Sequence, residues 1–203
     1  CAGARVVDRE GGPDDAAARE AQVRSGLVHD VWISAGGVSV GDHDLMRAAL
    51  DRAGVVEEFW KVAVKPGKPI AFGRSGQGTL VFALPGNPVS AFVTFHLFVR
   101  PALDRMMGRA PAEPVVATLS HAHSHRTGRD EYARAWLQKD GSVRLHASQG
   151  SGSLHAIAQC NAIVVLPADR ATFEAGHPVF PLPVRRSPIS TSHSSPPLLG
   201  ACR

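Results

Sequence analysis

The run Asp30 to Ser34 ends at Ala35-Gly36-Gly37, and the run Leu80 to Leu84 ends at Pro85-Gly86-Asn87-Pro88; after each, the pattern turns helical. A short apolar strand handing over through glycine or proline to a helix, used more than once, constrains the fold more than any other feature. It predicts α/β architecture: a mostly parallel sheet with helices on both faces, joined by right-handed crossovers. Gly12-Pro13-Asp14-Asp15 reads as the start of a helix running to about Gly26, with Pro13 near its first position. A second helix is expected from about His43 to Ala53, stopped at Gly54. Phe59 to Val64 is a further strand, and Ser75 to Gly78 a turn. Asn87 caps a long helix from Pro88 to about Met107, kinked or broken at Pro101, which lacks a backbone donor.

Composition shifts at Arg109-Ala110-Pro111-Ala112-Glu113-Pro114. The expected division is an α/β domain over 1–108, a linker over 109–114, a small all-β barrel over 115–184 and a disordered tail over 185–203. The barrel is read from short strand-like runs: Val115 to Leu119, Tyr132 to Leu137, Val143 to Ala147, Ile163 to Leu166 and Val179 to Val184. The tail is rich in serine and proline and has little to bury.

A chain of 203 residues with 44% hydrophobic and 20% charged residues can bury a real core. It has no apolar run near the ~18 residues that a membrane helix needs. Three scattered cysteines, Cys1, Cys160 and Cys202, match neither a disulfide framework nor a zinc ribbon. With no signal pattern, these features predict a cytoplasmic protein without membrane contact. A net charge of +4 fits an anionic ligand, and 6% aromatic content is too sparse for a base-stacking nucleic-acid surface. Opening on Cys1, without an initiator methionine, the chain reads as a fragment.

The candidate chemistry lies in the loops. Ser34-Ala35-Gly36-Gly37-Val38-Ser39-Val40-Gly41-Asp42 joins a strand to a helix, where glycine lets backbone approach a ligand and free N–H groups favour an anion. Asp42 and Asp44 open the next helix. One acid there is explained by capping, which leaves the other for a metal ion or a ligand donor. Asp14 and Asp15 allow the same two readings. Between these loops lies Trp60-Lys61-Val62-Ala63-Val64-Lys65-Pro66-Gly67-Lys68-Pro69. On a strand, Lys61 and Lys65 would share a face, and Lys68 would leave the Pro-Gly turn, an arrangement suited to a multiply charged anion. His121, His123 and His125 alternate, but no acid or cysteine at ligand spacing supports a metal site there.

Together, Gly36 to Asp42, Lys61 to Pro69 and Leu84-Pro85-Gly86-Asn87-Pro88-Val89-Ser90 resemble the molybdopterin molybdenumtransferase family, comprising bacterial MoeA proteins and the E domain of gephyrin. The resemblance continues through Thr127-Gly128-Arg129-Asp130-Glu131-Tyr132, Gln149 to Leu154 and Asn161 to Pro167. It implies a molybdopterin-binding α/β domain followed by a small β-barrel in a homodimeric cytoplasmic enzyme. Its members insert molybdate into adenylylated molybdopterin with magnesium assistance, releasing AMP; contact with the molybdopterin adenylyltransferase is implied as well. By motif match, Lys61, Lys65 and Lys68 would contact molybdate or phosphate. Asp44, with Asp14 or Asp15, would supply carboxylates to the pterin–metal site, and Asp42 and Asp44 would hold magnesium. Gly36, Gly37 and Ser39 would line the pterin pocket, Pro85, Asn87 and Pro88 would shape its wall, and Ser151 would reach in from the barrel.

Two departures accompany the match. Ala35 stands where many relatives carry a hydroxyl residue, and the family's further N-terminal domains and acidic Gly-Asp-Glu loop are not in this sequence. Two competing readings follow: a non-catalytic pterin-binding scaffold, and an inactive truncated fragment.

Overall fold

The computed structural model describes residues 3–7, 11, 15–36, 42–111, 114–150 and 152–184, with 42–44 described in backbone only. Its first portion contains α1 (Ala16–Gly26), β1 (Val31–Ala35), α2 (Asp42–Arg52), β2 (Val55–Trp60), β3 (Val64–Lys65), β4 (Ala71–Ser75) and β5 (Leu80–Leu84). After these come α3 (Pro88–Thr94), a π-helical turn (Phe95–Val99) and α4 (Arg100–Met106).

One sheet has the order β1-β5-β4-β2. Only β1 and β5 run parallel; β5–β4 and β4–β2 are antiparallel. The expected mostly parallel sheet is therefore corrected to a mixed one. The reason is connection length: β4 turns directly into β5 through a loop closed by Ser75 N–H donating to Thr79 O at 3.0 Å, too short for a crossover helix. The sequence reading missed β4 because Gly73 and Arg74 interrupt its apolar pattern. Alternation along β5 supplies both faces of the sheet. Val81 and Ala83 join Val23 of α1, the capping Leu27 just after it, and Met46, Ala49 and Leu50 of α2. Phe82 and Leu84 join Ile70 and Val99, with Phe95, Phe98 and Leu103 packed around them. Burial on both faces explains why Leu80 to Leu84 carries no polar residue.

Helix ends follow their caps. Asp15 is the N-cap of α1, its Oδ2 accepting from Ala18 N–H at 2.8 Å, so the helix starts later than Pro13 suggests. Glu20 ties α1 to α2 by accepting from Arg24 at 3.0 Å and Arg52 at 2.7 Å. The irregularity expected at Pro101 occurs just upstream of it. Arg100 N–H reaches back to Phe95 O, widening the helix before the residue that has no N–H to give.

The second portion comprises β6 (Ala117–Leu119), β7 (His123–Ser124), β8 (Asp130–Leu137), β9 (Ser142–Leu145), α5 (Leu154–Gln159), β10 (Ala162–Leu166), β11 (Thr172–Phe173), β12 (Pro178–Val179) and β13 (Pro181–Pro183). Its main sheet has the order β12-β6-β9-β8-β10-β13, while β7 and β11 form a separate pair. The expected all-β barrel is corrected to a curled, partly open sheet with a helix between β9 and β10. Both ends of the sheet come from one stretch, 178–183, broken at Phe180, and no ladder joins β12 to β13. Inside the curl lie Leu119, Ala133, Val143, Val164, Leu166 and Phe173.

The two portions are joined twice. Val93 packs with Cys160, Ile163 and Val184, supported by Phe92, Leu97 and Tyr132. In addition, β3 pairs in parallel with β8 through Val64↔Asp130 and Lys65↔Glu131. Glu131 also faces Leu166 of β10, so β3 lies on the other side of β8, beyond the point where β9 ends its pairing at Ala135. Residues 185–203, expected as a tail, lie outside the described residues. Among the described residues, no helix is long and apolar enough to cross a membrane.

Two measurements test this core. Phe82 is 2% exposed and packs against Phe72 with ring centres 4.9 Å apart. Phe82→Ala is expected to cost about 3–5 kcal/mol, read as a lowered denaturant midpoint. His96 titrates at about 4, held below its ordinary 6.5 by burial and secondarily by Arg100. Between those values the unfolded chain binds the extra proton. The His96 contribution to stability should be full above about pH 6.5 and be lost as pH drops toward 4. His96→Phe should flatten that part of the stability–pH curve.

Candidate functional site

Strand direction determines which loops meet. Because β5–β4 and β4–β2 are both antiparallel, β2 runs parallel to β5 and β1. The segments leaving β1 at Gly36, β2 at Lys61 and β5 at Pro85 therefore share one edge of the sheet. Strand spacing of about 4.8 Å puts the β1 and β5 loops side by side and the lysine loop about 10 Å from β5. Helix polarity adds to this. The N-termini of α2 and α3 follow the β1 and β5 loops directly. The N-terminal ends of these helices carry partial positive charge and favour anions.

Gly36 has φ +104°, and its N–H donates to Leu84 O at 3.1 Å. A Cβ on Gly86 would stand 3.2 Å from the Gly36 Cα, so the two loops touch through backbone. Pro85 is buried, while Asn87 and Pro88 are exposed. Asn87 Oδ1 accepts from Val89 N–H at 3.1 Å and Ser90 N–H at 3.2 Å, which occupies that oxygen in capping α3. The buried Ser34 hydroxyl, two residues before Gly36, has no hydrogen-bond partner among the described residues.

The lysine loop departs from expectation. Strand β2 ends at Trp60, and Lys61 takes a left-handed φ of 64°, uncommon for a residue with a side chain. The predicted strand Phe59 to Val64 is thus interrupted, and Lys61 and Lys65 do not share the face of one strand. Lys61 N–H donates to Ile70 O at 2.9 Å, and Val62 N–H to Lys68 O at 3.1 Å, closing the loop onto itself. The Lys61 ammonium lies 5.4 Å from the centre of the Trp60 ring, a cation–π contact. Lys68 is exposed. Lys65 turns to the second portion, where its Nζ donates to Glu131 Oε2 at 3.1 Å. Gly67, with φ +120°, seats the loop on α3; a Cβ there would come within 2.5 Å of Thr94 Cγ2.

Behind Glu131 stand the histidines. His125 Nδ1 lies 3.4 Å from Glu131 Oε2, and its Nε2 lies 2.8 Å from Arg170 O. Burial holds His123 below the ordinary histidine range, partly offset by Glu131. Among the described residues, no group of three or more His, Cys, Asp or Glu is placed to hold a metal ion.

From the second portion, the fully buried Arg134 donates to Ser148 O and Gly150 O, both at 3.2 Å. Gln149 bonds back to Arg134 N–H and O, each at 2.9 Å. This frame holds the loop that leads to Ser151. Ser151 itself, with Asp14, Gly37 and Ser39, lies outside the described residues, as do the side chains of Asp42 and Asp44. Asp15 is spent on its cap. Sequence reasoning missed Glu131, Gly67 and Arg134 as organisers of the site, because each acts on a partner distant in the chain. A cavity of about 710 Å³ lies between α2 and strands β2, β4 and β5, and none of the sequence-predicted site residues lines it.

Comparison with known proteins covers both portions. Residues 1–105 match the family model "Probable molybdopterin binding domain", and residues 116–183 match "MoeA C-terminal region (domain IV)". The molybdopterin molybdenumtransferase of Haemophilus influenzae is 36% identical over 159 residues, 74% of this chain and 38% of that protein. Gephyrin of Dictyostelium discoideum is 34% identical over 177 residues, 72% of this chain and 24% of that protein. The molybdopterin biosynthesis MoeA protein of Pyrococcus horikosii superposes with a TM-score of 0.70 at 26% identity, covering 85% of this chain and 42% of that one. The chain thus spans well under half the length of each of these three.

The seat of the lysine loop is testable. Gly67→Ala combines a left-handed backbone with a clash against Thr94, and should destabilise the chain by about 1–3 kcal/mol in chemical denaturation. Adding Thr94→Ser, which removes the clashing methyl, should recover part of that loss.

Proposed function

Because the chain belongs to the MoeA- and gephyrin-type molybdopterin molybdenumtransferase family, we propose that it acts in molybdenum cofactor biosynthesis, inserting molybdate into adenylylated molybdopterin with release of AMP. One observation carries the reading: the segments leaving β1, β2 and β5 share a single sheet edge, and the one leaving β2 bears Lys61, Lys65 and Lys68. A molybdate dianion beside a phosphoanhydride needs fixed cations and N–H donors, so the protein's contribution is placement and charge stabilisation.

In this reading Gly36, Gly37 and Ser39 line the pterin pocket, and Pro85, Asn87 and Pro88 form its wall. Lys61, Lys65 and Lys68 hold molybdate and the nucleotide phosphates. Asp44, with Asp14 or Asp15, faces the pterin, and Ser151 approaches from the second sheet. Residues 1–108 and 115–184 act as the two parts of the site. Asp42 and Asp44 are the carboxylates assigned to magnesium. Their backbone opens α2, and a magnesium ion held there would offset the charge of the phosphates. The same reading takes the protein as a cytoplasmic homodimer that receives its substrate from the molybdopterin adenylyltransferase.

The test is molybdate-dependent AMP release from adenylylated molybdopterin. Lys65→Ala is expected to slow it about 10- to 100-fold, the worth of one charge-assisted hydrogen bond. Unchanged turnover overturns the assignment of Lys65.

A further inference from the structure

Glu131 is the acid nearest to Lys65, yet it belongs to the other portion of the molecule and is only 4% exposed. We infer that Glu131 is a positioning residue: its buried carboxylate fixes the position of the Lys65 ammonium and so couples the second sheet to the anion site. The inference rests on reading Lys65 as an anion contact.

A carboxylate buried this deeply needs a compensating charge. Lys65 Nζ at 3.1 Å and His125 Nδ1 at 3.4 Å lie against it, and His123 and Arg134 feel its charge from further off. The His125 ring is committed elsewhere: a carbonyl can only accept, so Nε2 carries the proton donated to Arg170 O. His125 Nδ1 makes no hydrogen bond to Glu131. Lys65 is the cation hydrogen-bonded to the carboxylate.

The backbone makes this pairing obligatory rather than opportunistic. Lys65 and Glu131 are register partners in the β3–β8 ladder, so their side chains start from adjacent positions. On its far side the loop is fixed by Gly67 against Thr94. The Lys65 side chain remains 44% exposed against 5% for Glu131. An ammonium has three donors; with one given to Glu131, the others are free to face an oxyanion from the open side.

A competing role has the opposite sign. If Glu131 only neutralised Lys65, its removal would strengthen anion binding. The test is calorimetric titration of the full chain with sodium molybdate, with thermal melting as a control on folding. Glu131→Gln is expected to weaken binding about ten-fold, the scale of a charge-assisted contact, with Glu131→Asp between it and wild type. The double variant Lys65→Ala/Glu131→Gln should bind no more weakly than Lys65→Ala alone, because Glu131 acts through Lys65. That non-additivity is not expected of general damage to the fold. If Lys65→Ala loses binding while Glu131→Gln binds as tightly as wild type or tighter, the positioning role is overturned and the anion site stands. If Lys65→Ala binds like wild type, or wild type binds no molybdate, the reading of Lys65 falls and this inference with it. Should Glu131→Gln fail to fold, Glu131→Asp decides: weaker binding than wild type supports the inference, and equal or tighter binding overturns it.

Discussion

Everything at the loop edge depends on β5 being buried on both faces. Its alternate residues supply the two cores that hold α1 and α2 on one side and the α3–α4 segment on the other. Its partners on either side, β1 and β4, inherit their positions from that strand. Because β5 cannot slip by one residue without exchanging its two cores, its register is fixed. The ends of β1 and β5 are thereby held level, so Gly36 and Gly86 meet through backbone. The glycines are needed because the strands bring the chains that close, and the strands are held by the cores.

The lysine loop has a different anchor. It leaves the first sheet at Trp60 and returns at Ala71, and between these points β3 is hydrogen-bonded to the second sheet. A loop of this length tethered only at its ends would sample many arrangements, and ordering it on ligand binding would cost conformational entropy. The β3–β8 ladder, the Lys65–Glu131 pair and the seat of Gly67 on α3 remove most of that freedom beforehand. The second portion is thus part of what holds the lysine loop, independently of whether Ser151 touches a ligand.

What the sequence revealed tracks how local each determinant is. The strands β1 and β5, the helix α2 and the Asn87 cap were legible because apolar runs, glycine stops and capping residues act within a few positions. The strand β4 was hidden by Gly73 and Arg74, a residue with no side chain and one pointing outward, which erased its alternation. Strands of two or three residues, such as β7, β11 and β12, carry too little pattern to set a register, so an open curl and a closed barrel read alike. The three lysines were recognised, but their geometry was not. The left-handed turn at Lys61 and the pairing of Lys65 with a residue 66 positions away leave no local trace.

Charge alone would not account for the proposed oxyanion site. A net charge of +4 attracts any anion, and between exposed groups that attraction is screened beyond about 8 Å at physiological salt. Several cations are also already engaged: Arg47 with Glu57, Lys65 with Glu131, and Lys61 over Trp60. Selection must therefore come from donors whose positions are set before the ligand arrives. A lysine whose carboxylate partner is buried while its own ammonium remains half-exposed meets that condition. Its orientation has already cost side-chain entropy in the free protein, so less is lost when an anion binds. On this argument the buried acid contributes to anion binding although its own charge is negative, because the gain in fixed geometry outweighs the repulsion from a carboxylate that Lys65 already neutralises.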